Sequence, residues 1–247
     1  MKRNVLLYLV ALFIVASTVT LRAQETSEKE TVLITNANIF DGKADKLSEG
    51  MSVLVEGNII SKIAKTIPAP NGATVIDAGG RTLMPGLADT HVHIAFASLA
   101  QAKVMTGLPE YNIIYATTDA RAMLMRGITV VRDMGGNTFG MKAAIDQGLI
   151  PGPRIYPSGA LISQPGGHGD FRFPNEDNPR FGGQRGTMDR ENHFRVVDGV
   201  PEMLAAAREN LRHGASQIKL AAGGGYASPS DPLMGNQFTY EEIKAAV

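Results

Sequence analysis

The sequence predicts an α/β fold in which four βα units follow a small β-domain, and three observations predict it. Short β-prone runs punctuated by Gly, Pro and Asn fill the chain up to about residue 80. From residue 81, apolar strand-like runs alternate with helix-like stretches, the pattern of a parallel sheet. The composition is that of an ordinary globular protein, with 44% hydrophobic residues, 27 glycines, and 24 basic side chains balancing 24 acidic ones. That balance, with no tryptophan and few aromatics, excludes a nucleic-acid partner and suits an enzyme acting on a small molecule. The absence of cysteine rules out disulfides, thiolate metal sites and cysteine nucleophiles, so any metal must be held by nitrogen and oxygen.

Each element follows from local composition. Lys2 and Arg3 precede an apolar run over residues 5–16, the layout of a signal peptide, here assigned to residues 1–23. Export through the Sec route to the periplasm or the medium follows. The alternative is an N-terminal membrane anchor left by an uncleaved leader, although the run is shorter than the roughly 20 residues of a spanning helix. Residues 24–80 form the β-domain, with strands at 31–40, 51–56, 58–63 and 73–77. In residues 81–247 the predicted strands are 83–94, 128–133, 154–162 and 217–221, with helices at 111–125, 140–147 and 201–213. His213 and Gly214 end the last of these helices. The stretch 163–199, rich in Gly, Pro, Asn and Arg, has no period and reads as a long loop of the kind that carries function. Thr239 and Glu242 have the spacing of a capping box that opens one more helix. An eightfold barrel of such units typically needs about 250 residues, against roughly 165 after the β-domain here, so the chain reads as a truncated half-barrel.

The chemistry-bearing residues sit at the ends of these strands. His91 and His93 alternate on one strand and point to the same side as Asp89, a start for a divalent metal site; two partly exposed strand histidines are the bland alternative. Lys219 lies in the apolar run QIKL at 217–220, where an ammonium is costly unless it snorkels to solvent. In QPGGHGD at 164–170, glycines around His168 permit close approach to a ligand, and a mobile surface histidine is the alternative. Tyr226 follows GGG at 223–225 and offers a hydroxyl to a carbonyl or simply packs its loop. Arg172, Arg180, Arg185 and Arg195 read first as solvated loop charges and second as a fork for a carboxylate. His193 has no motif around it and receives no role.

The string MPGLADTHVH at 84–93, arriving after DAGGR at 77–81, closely resembles the first barrel strand of the amidohydrolase superfamily. The likeness extends through VRDMGG at 131–136 and GPR at 152–154, and within the superfamily it is most similar to imidazolonepropionase-like and prolidase-like members. The resemblance implies the N-terminal half of a (β/α)8 TIM barrel with a small N-terminal β-sandwich domain. It implies hydrolysis of carbon–nitrogen amide bonds, with a dipeptide or N-acyl amino acid as substrate and metal-activated water as nucleophile. Two divalent ions, zinc by preference, would be held in part by His91, His93 and Lys219, the lysine carrying a carbamate derived from carbon dioxide. His168 and Tyr226 would lie on the substrate side. Two further histidines and a proton-shuttling aspartate of that family pattern are not found up to Val247, so the chain alone is expected to be inactive. Two other readings remain: an exported binding or pseudoenzyme module built on the half-barrel, and a homo-oligomer in which half-barrels pair.

Overall fold

A computed structural model describes residues 30–96, 98–228 and 231–247. The predicted leader lies outside these residues. Among them, no helix is long and apolar enough to cross a membrane. The chain divides into two compact units between Pro85 and Gly86.

The first unit is one mixed five-stranded sheet. Its strands are β1 (Thr31–Ile39), β2 (Ser48–Glu56), β3 (Ile59–Ala64), β4 (Thr74–Asp77) and the two-residue β5 (Thr82–Leu83). The order is β3-β2-β1-β4, with β5 also on β1. β2 runs antiparallel to β1 and β3, whereas β4 and β5 run parallel to β1. Alternation puts Leu33 and Ala37 of β1 inside, and Leu33, Leu54 and Ile67 make a small core.

The second unit begins with β6 (Leu87–Val92), followed by α1 (Gln101–Thr106), α2 (Pro109–Met125) and β7 (Ile128–Asp133). Then come α3 (Phe139–Asp146), β8 (Arg154–Pro157) and β9 (Leu161–Ser163). β6, β7 and β8 pair side by side, all parallel. The first predicted strand is therefore corrected at its start. Thr82 and Leu83 belong to β5 in the other sheet, and Pro85, which has no N–H to give a ladder, separates them from β6. α2 opens on proline at its first position and turns Asn112, Ala116 and Ala120 inward, one face four residues apart. Ala116 and Ala120 pack with Ile94, Val131, Met141 and Ile155 to form the main core.

The third predicted strand is also corrected, because it breaks after β8. Gly159 sits at φ +71°, a left-handed conformation that ends a strand, and a Cβ there would strike Asn210 and Phe139. The chain resumes as β9 with new neighbours: β10 (Phe194–Val196) pairs parallel with it, and a parallel bridge joins Ile162 to Leu220. The fourth predicted strand shrinks to that bridge. The loop 163–199 is not structureless: it holds a 3-10 turn (Pro179–Phe181), the one-turn α4 (Thr187–Arg190) and β10. Elements of three or four residues are too short to show a period in sequence. α5 (Val200–Arg212) buries Met203, Ala206, Ala207 and Asn210, the i, i+3, i+4, i+7 pattern of one helix face, and the first three of these pack against Ile162 and Val197. α6 (Tyr240–Ala246) starts with the predicted capping box of Thr239 and Glu242. The same Glu242 carboxylate accepts the Gly199 N–H at the start of α5, 2.7 Å away.

Candidate active site

The site is assembled where β6, β7 and the Lys219 segment end. His91 lies on β6 and His93 immediately follows it, and their rings approach to 5.5 Å between centroids. Nδ1 of His93 lies 3.3 Å from the carbonyl oxygen of Gly135, so that nitrogen carries the proton and Nε2 keeps its lone pair. A backbone acceptor on one ring nitrogen is how metal-binding histidines are oriented. His93 stacks on Phe96 at 5.4 Å, which fixes the plane of the ring. The Asp89 carboxylate accepts the His91 backbone N–H at 3.1 Å.

Lys219 is placed by its backbone: its carbonyl accepts the Ile162 N–H at 2.9 Å, and Ala221 donates back to Ile162 at 2.9 Å. The charges at this strand end converge. Burial pulls the His91 and His93 imidazoles below their usual range, and the Lys219 charge adds to the effect on both. Burial likewise pulls the Lys219 ammonium down, assisted by Arg132. Arg132, at the end of β7, is anchored by donating from Nε to the Thr90 carbonyl at 2.8 Å. Two imidazoles and an amine are thus driven together toward their neutral, electron-donating forms. Among the described residues, no three His, Cys, Asp or Glu side chains gather into a ready cation cage. Lys219 is the further side chain coupled electrostatically to both imidazoles.

His168 joins this group, since its charge bears on His93. Its Nδ1 lies 3.4 Å from Oδ2 of Asp231, whose side chain is fully buried. Oδ2 also accepts the Gly225 N–H at 2.8 Å, and the His168 N–H donates to Gln237 at 3.1 Å. Gly225 has to be glycine: a Cβ there would collide with the His168 imidazole. Tyr226, one residue on, is 101% exposed and stands away from these groups. The sequence reading did not single out Arg132 or Asp231. Arg132 sat in a quoted motif without a role, whereas Asp231 lies in a separate loop with no motif around it.

Asp133 and His193 are buried behind the site. Asp133 is wholly inaccessible, and burial pushes its carboxyl up to about 7 although it accepts from the Thr138 hydroxyl at 2.6 Å. Burial pushes His193 down to about 4, and its Nδ1 accepts the Asn137 N–H at 3.3 Å. His193 ties the loop after β7 to the start of β10 and is a neutral structural group.

Residues 82–247 match the family model described as "Amidohydrolase family". Ochratoxinase from Aspergillus niger is 35% identical over 175 residues, which cover 67% of this chain and 36% of that protein. Among solved structures, a prolidase complexed with N-methylphosphonate-L-proline superposes with a TM-score of 0.79 at 36% identity, covering 88% of this chain and 52% of that one. A Xaa-Pro dipeptidase with bound methionine gives a TM-score of 0.71 at 32% identity, covering 88% and 53%. The chain therefore spans about a third of the curated relative and about half of the solved ones.

Proposed function

This chain belongs to the amidohydrolase family, and from that premise we propose that its site serves a metal-dependent hydrolase of carbon–nitrogen bonds, with a dipeptide or an N-acyl amino acid as substrate. The family generally works with divalent metal ions. The observation that carries the proposal is the convergence of His91, His93 and Lys219 in a setting that favours all three as neutral donors. His91 and His93 would hold the ion through ring nitrogen, and Lys219 would hold it as a carbamate. Such an ion, when bound, supplies Lewis acidity toward the scissile carbonyl and toward water.

The rest of the chemistry belongs to the side chains. Only an unprotonated amine adds carbon dioxide, and burial together with Arg132 pulls Lys219 toward that form. Carbamate formation replaces a cation beside Arg132 with an anion and so converts a repulsion into an attraction. His168, with Nδ1 turned to the buried Asp231, has Nε2 left for the reacting carbonyl or the leaving amine. Ochratoxinase and the prolidases support the choice of amide substrate by likeness. The parallel β6-β7-β8 sheet with its helices supports the reading of half a (β/α)8 barrel, and the single β1–β5 sheet would be this chain's share of a small β-sandwich domain. Export on the Lys2-Arg3 leader belongs to the same proposal.

The test reads site chemistry rather than turnover. With ¹³C-bicarbonate, the chain should give a carbamate carbon resonance that Lys219→Ala abolishes. Zinc should bind by calorimetry, with His93→Asn weakening it at least about tenfold. No carbamate signal and equal zinc binding by wild type and His93→Asn would sink the proposal.

A further inference from the structure

Segment 163–199 and the first turns of α5 enclose a cavity of about 500 Å³. His91, His93, Lys219 and His168 do not line it, so it is distinct from the candidate active site. Phe171, Met188, Val196 and Ala206 give it an apolar wall, and four arginines reach it.

Pairing the charges shows where one is left over. Arg172 holds Asp170 with two bonds, at 2.9 and 2.5 Å. Arg180 holds Glu202 at 2.6 Å and Asp198 at 3.4 Å. Glu209 is taken by Arg212 at 2.8 and 2.6 Å. That leaves Asp189 for both Arg185 and Arg195. Arg185 donates to Oδ1 of Asp189, and Nε of Arg195 lies 3.6 Å from the same oxygen. Beyond Asp189, Arg195 donates to the neutral Asn192 side-chain oxygen at 2.5 Å and feels only the field of Glu209, a carboxylate already held by Arg212.

Two guanidinium groups thus share one carboxylate oxygen. The opposite surplus, two acids on Arg180, falls on Asp198 and Glu202, whose side chains are 56% and 47% exposed and solvated by water. The Arg195 side chain is only 28% exposed, so its excess charge is met by the cavity rather than by bulk water. Burial holds its guanidinium below the ordinary range, in keeping with an under-compensated cation.

We propose that this cavity binds a small organic anion, a carboxylate with an apolar body, its head forked by Arg195 beside Arg185 and its body against Phe171 and Met188. A planar carboxylate matches the guanidinium fork and completes the missing charge.

The probe is 3-phenylpropanoate, titrated calorimetrically into the metal-free full chain, with 3-phenylpropanamide as its uncharged twin. The carboxylate should bind at one site and the amide at least about tenfold more weakly. Arg195→Met, which leaves the Asp189–Arg185 pair intact, should lose carboxylate binding by a similar factor, and Lys142→Met, which removes a charge on α3 away from the cavity lining, should not. The ¹⁵Nε resonance of Arg195 should move on titration in the unsubstituted chain, a readout independent of how any variant folds. An amide that binds as well as the acid, an Arg195 resonance that stays still, or no binding at millimolar probe overturns the proposal.

Discussion

At the scale of single residues, Asp133 and His193, the pair buried behind the site, oppose each other. The Asp133 carboxyl holds its proton up to about pH 7 in the folded chain, against 3.8 ordinarily. Between those values the folded state binds more protons, so stability falls as pH rises. His193 refuses a proton until about pH 4 instead of 6.5, so in that window stability falls as pH drops. Asp133→Asn should leave the His193 slope exposed, with stability rising from pH 4 to 6.5; His193→Gln should leave the reverse. Urea unfolding at several pH values should show both, each differing from wild type by up to about 1 kcal/mol per pH unit. Variants with wild-type slopes would show that neither group is shifted as its burial requires. His91, His93 and Lys219 were singled out in the sequence by the resemblance of their strands to the amidohydrolase pattern, since alternation and an apolar run alone leave exposed strand histidines and a snorkelling lysine equally open. Asp231 was not legible, and Arg195 was named only as one of four loop arginines, because what sets them apart is which oxygen faces which nitrogen across separate loops.

At the scale of elements, the break between β8 and β9 depends on one side chain. Asn210 of α5 accepts the Ala160 N–H at 3.1 Å and donates to the Ala160 carbonyl at 2.9 Å, with 2% of its surface exposed. Asn210→Ala should strand both groups in the interior and cost about 2–4 kcal/mol in denaturant unfolding. A loss below about 1 kcal/mol would mean that water or a shifted backbone satisfies them. α2, α3 and α5 were legible to within two residues, α5 because it repeats its small buried side chains at helical spacing, whereas the six-residue α1 was not read. β9, β10 and α4 were not, because three or four residues cannot display a period and Gly159 acts through its φ and its close approach to Asn210 and Phe139, neither of which a sequence displays.

At the scale of the molecule, metal and carbamate should act together as one linked ligand. Zinc added with bicarbonate should raise the melting temperature, and at about 100 times its Kd it should add about 2.7 kcal/mol to stability. Lys219→Ala should lose most of that gain, and a variant that keeps all of it would remove the lysine from the proposed centre. The architecture was legible as alternating elements, but the change of partner along strand three was not. Since β8 answers to β7 while β9 answers to β10, the 163–199 segment is anchored beyond the joint rather than on the ladder before it. Lengthening, shortening or rewriting this segment should therefore leave β6, with His91 on it and His93 just after it, where the β7 ladder holds it.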